Sequence, residues 1–300
     1  MADNHYKLSG RSILPKSTIL HLRFHFSFFL LPVFLFAVSQ SPVINILNTL
    51  IAFFILHFLV FPSSNGYNSY HDKDTDSIGL LKNPPPVSKN LLYFTNVMDI
   101  IAISAGLIIS LWFSILVAGF IVMSRSYSNR TIRLKKYPVI AFLIVAFFQG
   151  GYVYIMTLFA TSDINSFYPI VTSGNLRAVI ISSLFVGSIY PLTQIYQHTS
   201  DKNDGVISLS YKLGYIGSFI FSMSLFLIAS ILMYFHFSIM QNISSFFLFS
   251  ILMLPVFIYF LFWIYKVKTS KKYAAYEYSM LMNIITSICM NAFFLILILD

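Results

Sequence analysis

The sequence contains few charged residues. Asp, Glu, Lys and Arg make up 10% of its 300 positions, whereas hydrophobic side chains make up 57%. Soluble domains carry about 25% charged residues, and the mean hydropathy of +0.78 is far above that of a water-facing chain. This composition excludes a soluble monomer. Because a membrane-crossing helix needs about 20 apolar residues, the composition provides for about eight or nine spans.

Cysteines and long polar stretches are also scarce. The single cysteine, Cys289, lies within an apolar run and cannot form a disulfide within the chain, so it does not indicate a redox compartment. The longest segment between predicted spans runs over 63–90. We therefore expect a polar N-terminal segment over 1–17 and one membrane domain over 18–300, without a separate soluble domain.

Long apolar runs predict where the chain crosses the membrane. The clear spans are 18–39, 43–62, 138–161, 176–196, 215–236, 245–265 and 279–299. A further stretch, 91–123, is either one long helix or a tight pair of short helices at about 92–109 and 112–123. Hydropathy alone does not choose between these two arrangements.

The basic residues decide the number of crossings, because Lys and Arg accumulate in cytoplasmic loops. If 91–123 crosses twice, 18 of the 19 Lys and Arg residues fall on one face, with Arg177 as the exception. If it crosses once, the basic cluster between Arg125 and Lys136 falls on the opposite face. The sequence therefore predicts an all-α membrane protein: a nine-helix bundle with a central cavity open to the cytoplasm, its N-terminus inside and its C-terminus outside. The net charge of +9 reflects orientation, and no nucleic-acid partner is expected.

The loop after the second span carries oxygen ligands spaced four residues apart. Asn68, Asp72 and Asp76 stack on one face if the helix continues out of the membrane. Mg²⁺ takes a few carboxylates and completes its shell with phosphate oxygens. The spacing is therefore compatible with a magnesium site, but for this segment taken alone an ordinary solvated loop is the favoured interpretation.

The loop after the sixth span repeats this pattern, since Gln194, Gln197 and Asp201 share one helical face. Two acidic faces at the same membrane surface can hold a diphosphate between them through metal ions. Nearby cations are candidates to neutralise the remaining phosphate charge; they are Lys82, Arg133, Lys135, Lys136 and Lys202. The alternative is that these cations only set the topology.

Both loops resemble motifs of the UbiA-type intramembrane prenyltransferases. Residues 68–76, NSYHDKDTD, resemble the first motif, N-D-x-x-D-x-x-x-D. Residues 197–209, QHTSDKNDGVISL, together with Leu213 and Gly214, resemble the second, D-x-x-x-D followed by Gly and Thr/Ser-Leu. The stretch 127–138 is similar to the segment after the family's fourth helix. The resemblance covers about 22–300, with the motifs in the same order along the chain.

Two positions depart from the family pattern. Ser69 and Gln197 stand where the family usually has Asp, and each replacement loses a negative charge. We therefore expect weaker metal binding, or an ion held mainly by the substrate. Asp74 and Asp204 lie off the four-residue column and are candidates to compensate.

The resemblance implies Mg²⁺-dependent transfer of a prenyl group from a prenyl diphosphate to a small acceptor, with Asp72, Asp76 and Asp201 as catalytic carboxylates. The implied metal ligands are Asn68, Asp72, Asp76, Gln197 and Asp201. An aromatic quinone precursor is the favoured acceptor. A non-aromatic acceptor, a terpene cyclase, a membrane transporter and an inactive scaffold remain the alternatives. The expected location is the cell inner membrane, with the site facing the cytoplasm and the oligomeric state undetermined.

Polar residues inside predicted spans are further candidates for function. Asn96, Asp99 and Gln194 are expected to form a polar ring at the cavity mouth, and Gln149 lies beside a Gly-Gly pair in the fifth span. The alternative for Asp99 is an interfacial side chain that reaches water. Arg23 and His25, at the start of the first helix, are interpreted as anchors at the lipid headgroups, with contact to an acidic group of the acceptor as the alternative.

Overall fold

The computed structural model describes residues 16–73, 75–162 and 172–300. The predicted N-terminal segment therefore lies almost entirely outside the described residues, as does Asp74. In chain order the α-helices of the described part are α1 (Lys16–Leu22), α2 (Leu31–Ser39), α3 (Ile46–Phe54), α4 (Phe61–Asp72), α5 (Asn90–Ile109), α6 (Leu111–Ser128), α7 (Pro138–Ala146), α8 (Tyr152–Thr161), α9 (Ser173–Gln194), α10 (His198–Asn203), α11 (Leu209–Ile239), α12 (Ile243–Leu252), α13 (Leu254–Thr269) and α14 (Tyr276–Leu299). The predicted all-α class is confirmed over these ranges, where the one extended pairing is an isolated bridge between Ile78 and Leu81.

Seven helical runs in the described ranges are long and apolar enough to cross a membrane. They are Ile46–Asp72, Asn90–Ile109, Leu111–Ser128, Pro138–Thr161, Gly174–Asn203, Leu209–Ile239 and Tyr276–Leu299. Two further pairs, Lys16–Phe29 with Leu31–Ser39 and Ile243–Leu252 with Leu254–Thr269, are bent by 41°. Each second helix has a proline in its first turn, where proline ends one helix and starts another. Length and composition therefore allow up to nine spans, when each bent pair counts as one.

The ambiguous stretch 91–123 forms two helices, as the basic residues predicted. Ser110 separates α5 from α6 in an extended conformation, and its side chain accepts a hydrogen bond from the Phe113 amide at 3.0 Å. The two helices pack closely against each other in antiparallel orientation, and Ser114 Oγ donates a hydrogen bond to the Ile103 carbonyl at 2.7 Å. A Cβ on Gly106 would lie 3.0 Å from the Ser114 backbone.

The basic loops meet at one end of the bundle. Lys135 pairs with Asp72 and Arg130 with Asp204, which joins the segments after α4, α6 and α9. At the same end, Lys82 lies 2.5 Å from Glu277 at the start of α14. Large apolar side chains such as Ile100, Leu227 and Leu254 are exposed along the helices between the two ends, as expected of a lipid-facing surface.

A π-helical turn joins α7 to α8 and brings Gln149 into the bundle. It spans Phe147–Gly151 and packs against α9 through Gly150 and Gly151. Such single π-helical turns occur frequently at functional sites. A Cβ on Gly150 would lie 2.6 Å from the Ser182 carbonyl oxygen, so only glycine fits there without moving the backbone.

We therefore expect Gly150→Ala to push α9 away from this turn and lower thermal stability. The expected loss is about 1–3 kcal/mol, typical of overpacking, and a melting curve of the purified protein in detergent measures it. Gly174→Ala is the matched control, because a Cβ at Gly174 has no atom within 4 Å among the described residues. Equal melting temperatures for the two variants would contradict this account of Gly150.

Candidate active site at the basic end of the bundle

The first aspartate-bearing segment forms the end of α4. Asn68 and Asp72 lie one turn apart, and the helix ends at Asp72 because Lys73 adopts the left-handed conformation with φ of 54°. Asp76 follows in a bend and is exposed. The prediction that Asp76 continues the helical column is therefore wrong. The left-handed cap ends the helix before the third position of the column is reached.

Hydrogen bonds orient both side chains at the end of α4. The Asn68 amide donates to Asp72 Oδ2 at 2.8 Å, and Ser128 Oγ donates to Asn68 Oδ1 at 2.9 Å. Lys135 forms an ion pair with Asp72, whose side chain is only 6% exposed. The carboxylate of Asp72 is therefore held in one orientation by residues from the α6–α7 region.

The second aspartate-bearing segment is not one regular helix. The helix α9 ends at Gln194, a short 3₁₀ turn covers Ile195–Gln197, and α10 carries Asp201. Nevertheless, Gln194, Gln197 and Asp201 all line the same cavity. The predicted common face is formed by a change of helix type and not by a continuous α-helix.

Both segments meet at a polar cavity of about 220 Å³. Its wall includes Asn68 and Asp72 from α4, Lys135 from the α6–α7 loop, and Asp201 from α10. Gln149 lies on the same wall. The fold thus brings two carboxylates from distant parts of the sequence to one small space, together with amide oxygens and a cation.

An apolar cavity of about 250 Å³ adjoins the polar one. Its wall includes Phe185, Phe226, Val256, Phe260 and Met290. Both cavities share the residues Phe26, Tyr127, Val145, Gln149, Tyr190 and Thr193. The two spaces form one amphipathic chamber, with a polar end at the basic face of the bundle and an apolar end between the helices.

Two tyrosines stand at the junction of these spaces. The hydroxyl groups of Tyr127 and Tyr190 lie 2.8 Å apart and form a hydrogen bond. The sequence pattern does not single out Tyr190, and it includes Tyr127 only as part of the stretch 127–138. The sequence has 19 tyrosines and 32 phenylalanines, so aromatic content gives no signal for the two that reach the cavity.

The predicted cations separate into different environments. Of the five, Lys135 lines the cavity. Lys82 pairs with Glu277 at the surface, and Arg133 pairs with Asp204. Lys136 and Lys202 are exposed and lie over the rings of Tyr137 and Tyr211. The charge pattern predicts that all five cations lie near the diphosphate site. Only the packing of the helices shows that Lys135 is the one of these five that lines the cavity.

Two members of the predicted polar ring lie elsewhere. Asn96 is exposed on α5, and Asp99 is buried and paired with Arg125 from α6. Ser63 also donates to Asp99, at 2.5 Å. The prediction that these two residues line the cavity mouth is wrong for the wall described here. Asp99 on α5 pairs instead with the guanidinium of Arg125 on α6, so its carboxylate joins two helices. Gln194 does line the cavity, as predicted.

Arg23 contradicts its interpretation as a headgroup anchor. It is only 6% exposed, lines the polar cavity and donates to the Asn65 carbonyl at 3.3 Å. His25, by contrast, is exposed, with its Nε2 3.2 Å from the Leu80 carbonyl oxygen. Both residues are basic or ionisable and stand two positions apart at the start of the predicted span 18–39, so the sequence pattern does not distinguish them.

Ser69 and Gln197, which depart from the motif pattern, lie in different environments. Ser69 is buried, and its hydroxyl has no hydrogen-bond partner among the described residues. It is not part of the cavity wall, whereas Gln197 is. Asp204 pairs with Arg130 and Arg133, so its charge is already engaged.

The oxygen donors of the cavity suit a hard cation. Asp72 and Asp201 provide carboxylates, and Asn68 and Gln197 provide amide oxygens. Over the described ranges no three His, Cys, Asp or Glu side chains converge on one point. An ion here would therefore draw part of its shell from water or a phosphate, which is how Mg²⁺ is usually bound.

Comparison with known proteins agrees with this architecture. The model of the UbiA prenyltransferase family matches residues 29–285. Comparison with curated proteins finds no match.

Solved structures share the fold at low sequence identity. A UbiA homologue from Archaeoglobus fulgidus bound to GPP and Mg²⁺ is 16% identical, covers 95% of this chain and 100% of its own, and has a TM-score of 0.67. A UbiA homologue from Archaeoglobus fulgidus bound to DMAPP and Mg²⁺ is 16% identical over 94% and 99% of the two chains, with a TM-score of 0.66. A structure of digeranylgeranylglyceryl phosphate synthase is 22% identical over 95% and 99%, with a TM-score of 0.62.

Proposed function

The chain belongs to the UbiA prenyltransferase family, and we propose that it transfers a prenyl group from a prenyl diphosphate to a small acceptor with Mg²⁺ as cofactor. One observation carries this proposal. Asp72 and Asp201, on different helices, line one polar cavity that continues into an apolar cavity. This arrangement fits a ligand with a charged head and a hydrocarbon tail. The diphosphate and Mg²⁺ named for the similar Archaeoglobus fulgidus structures support the same assignment.

The polar cavity is proposed to bind the diphosphate. Asn68, Asp72, Gln197 and Asp201 would hold Mg²⁺, whose chemistry is to neutralise the leaving group as the allylic carbon–oxygen bond ionises. Lys135, which lines this cavity, would donate charge-assisted hydrogen bonds to phosphate oxygens. Asp76 remains a predicted ligand without a contact to the cavity wall.

The apolar cavity is proposed to bind the isoprenoid tail and exclude water from the allylic cation. Tyr127 and Tyr190 stand where the tail would join the diphosphate. Their hydrogen bond fixes both rings beside this point, and aromatic faces attract a cation. These two tyrosines, and not the aromatic content as a whole, are therefore proposed to stabilise the reacting carbon.

An aromatic quinone precursor is the proposed acceptor. Arg23 places a second buried cation on the wall of the polar cavity, which suits an acceptor that carries an acidic group. A glyceryl phosphate ether is the second candidate, because one similar structure is a digeranylgeranylglyceryl phosphate synthase. Both acceptors carry an anionic group, so Arg23 alone does not choose between them.

The site is proposed to face the cytoplasm. The segments after α4, α6 and α9 meet at one end of the bundle and contain eight of the 19 Lys and Arg residues. Because basic loops remain in the cytoplasm, this end is assigned to that side of the inner membrane. Prenyl diphosphates would then enter from the cytoplasm.

The direct test uses purified protein in lipid nanodiscs with labelled geranyl or farnesyl diphosphate. We expect release of diphosphate and a prenylated product that require both Mg²⁺ and an acceptor; hydroxybenzoate, dihydroxynaphthoate and geranylgeranylglyceryl phosphate form the panel. Chelation with EDTA is expected to abolish both signals. Diphosphate release without any acceptor, with a cyclic hydrocarbon as product, would identify a cyclase and overturn the transferase assignment.

A further inference from the structure

Three charged side chains connect the two aspartate-bearing segments outside the cavity wall. Arg133 donates to Asp204 Oδ2, and Arg130 lies 3.5 Å from Asp204 Oδ1. Asp204 follows α10, which carries Asp201, whereas both arginines lie in the loop after α6. We call Arg130, Arg133 and Asp204 the loop brace.

The loop brace also reaches the end of α4. Arg130 Nε donates to the His71 carbonyl at 2.6 Å, and its Nη2 lies 3.4 Å from the Asp72 carbonyl oxygen. These are terminal carbonyls of the helix, which have no partner within the helix itself. A cation at this end is also favoured by the helix dipole. One guanidinium therefore contacts the backbone of Asp72 and the side chain of Asp204.

Arg133 is set in place by its own backbone. It adopts the left-handed conformation with φ of 48°, and its amide donates to the Asn129 carbonyl at 2.7 Å. The chain then turns through Leu134–Lys136, which brings Lys135 back to Asp72. The Arg133 side chain is 16% exposed, so its contact with Asp204 is largely shielded from water. Shielded pairs of this kind are weakened little by salt.

We propose that Arg130, Arg133 and Asp204 are positioning residues that hold the end of α4 and α10 at the separation needed for one diphosphate and its metal. This proposal rests on the proposed function for its ligand, but the brace itself exists without one. It assigns Arg133 a role different from direct contact with the diphosphate. Groups that orient metal ligands typically change metal affinity or activity by about 10- to 100-fold when removed.

The two roles of Arg133 predict opposite results for Asp204→Asn. If Arg133 binds the diphosphate directly, loss of Asp204 releases it and KM for geranyl diphosphate falls. If the brace positions the site, Asp204→Asn raises the Mg²⁺ concentration for half-maximal activity and lowers kcat/KM by about 10- to 100-fold. Arg133→Gln then acts in the same direction. Asp204→Glu, which keeps the charge, is expected to recover most of the activity.

A distance measurement tests the brace without any substrate. Spin labels are attached at Thr75→Cys and Asn203→Cys in a Cys289→Ser background; both labelled positions are exposed and flank the two segments. We expect a narrow distance distribution for the parent protein in nanodiscs and a broad or shifted one for Asp204→Asn. Asp204→Glu should restore the narrow distribution.

Glu277→Gln provides the matched control. It removes another ion pair at the same end of the bundle, between Lys82 and Glu277, that does not connect the two segments. Its distances and kinetics should equal those of the parent. An unchanged distribution in Asp204→Asn, or a lower KM for geranyl diphosphate, would overturn the brace. Because the distances need no turnover, they decide this even if the protein transfers no prenyl group.

Discussion

Asp72→Asn and Asp201→Asn are each expected to lower Mg²⁺-dependent diphosphate release by about a hundredfold to a thousandfold, the usual effect of removing a group that stabilises charge in the transition state. Both carboxylates line the polar cavity, and the described ranges show no third carboxylate on its wall. Each substitution keeps the shape of the side chain and removes one negative charge. The measurement is diphosphate release from labelled geranyl diphosphate as the Mg²⁺ concentration is raised.

The shape of the Mg²⁺ titration distinguishes metal binding from loss of fold. We expect both variants to remain folded at the assay temperature, as a thermal melt shows, and to need more Mg²⁺ at every donor concentration. Glu277→Gln serves again as the carboxylate control, since Glu277 is more than half exposed and lies outside the cavity wall. Normal turnover in both aspartate variants would rule out the proposed metal site and with it the proposed function.

Arg125→Met is expected to destabilise the protein more than any other substitution considered for the helix bundle. Arg125 Nε donates to Asp99 Oδ2 at 2.9 Å, and Nη2 donates to Ser63 Oγ at 3.1 Å. The guanidinium also lies 3.8 Å from the centre of the Tyr67 ring. Its loss leaves Asp99 charged and buried between helices, which costs about 3–5 kcal/mol. A thermal melt of the purified protein in detergent measures the change.

The double variant Arg125→Met with Asp99→Asn separates charge from packing. It removes both ionised groups, so most of the stability lost in Arg125→Met should return. If the single and double variants melt at the same temperature, the buried carboxylate is not the cause of the loss. Diphosphate release should follow the folded fraction in both variants, since neither residue lines the described cavity wall.

Much of the helical framework was predictable from local patterns. The division of 91–123 into α5 and α6 followed from the placement of basic residues, and the structure confirms it. The two aspartate-bearing segments were also recognisable, because their four-residue spacing is unusual beside apolar spans. These features depend on the hydropathy, charge and spacing of residues that are close together in the sequence, so they can be predicted without knowing the tertiary structure.

The composition of the cavity wall was less predictable. Lys135 and Lys136 are neighbours in sequence, yet only Lys135 lines the cavity. Arg23 was interpreted as an anchor and is buried on the cavity wall. Asp99 was interpreted as a cavity residue and pairs with Arg125. Each of these outcomes depends on which helix packs against the residue, and that information is absent from the residue's own neighbourhood in the sequence.

Composition and local patterning are enough to establish that this chain is a helical membrane protein with two acidic segments beside basic loops. They are enough because transfer from water to lipid depends on side-chain composition along each segment. The packing of the bundle, in contrast, brings Asp204 to Arg130 and Arg133 in another loop and Tyr127 to Tyr190 between the two cavities. Those contacts form between residues far apart in the chain, and their partners are chosen by the packing of whole helices.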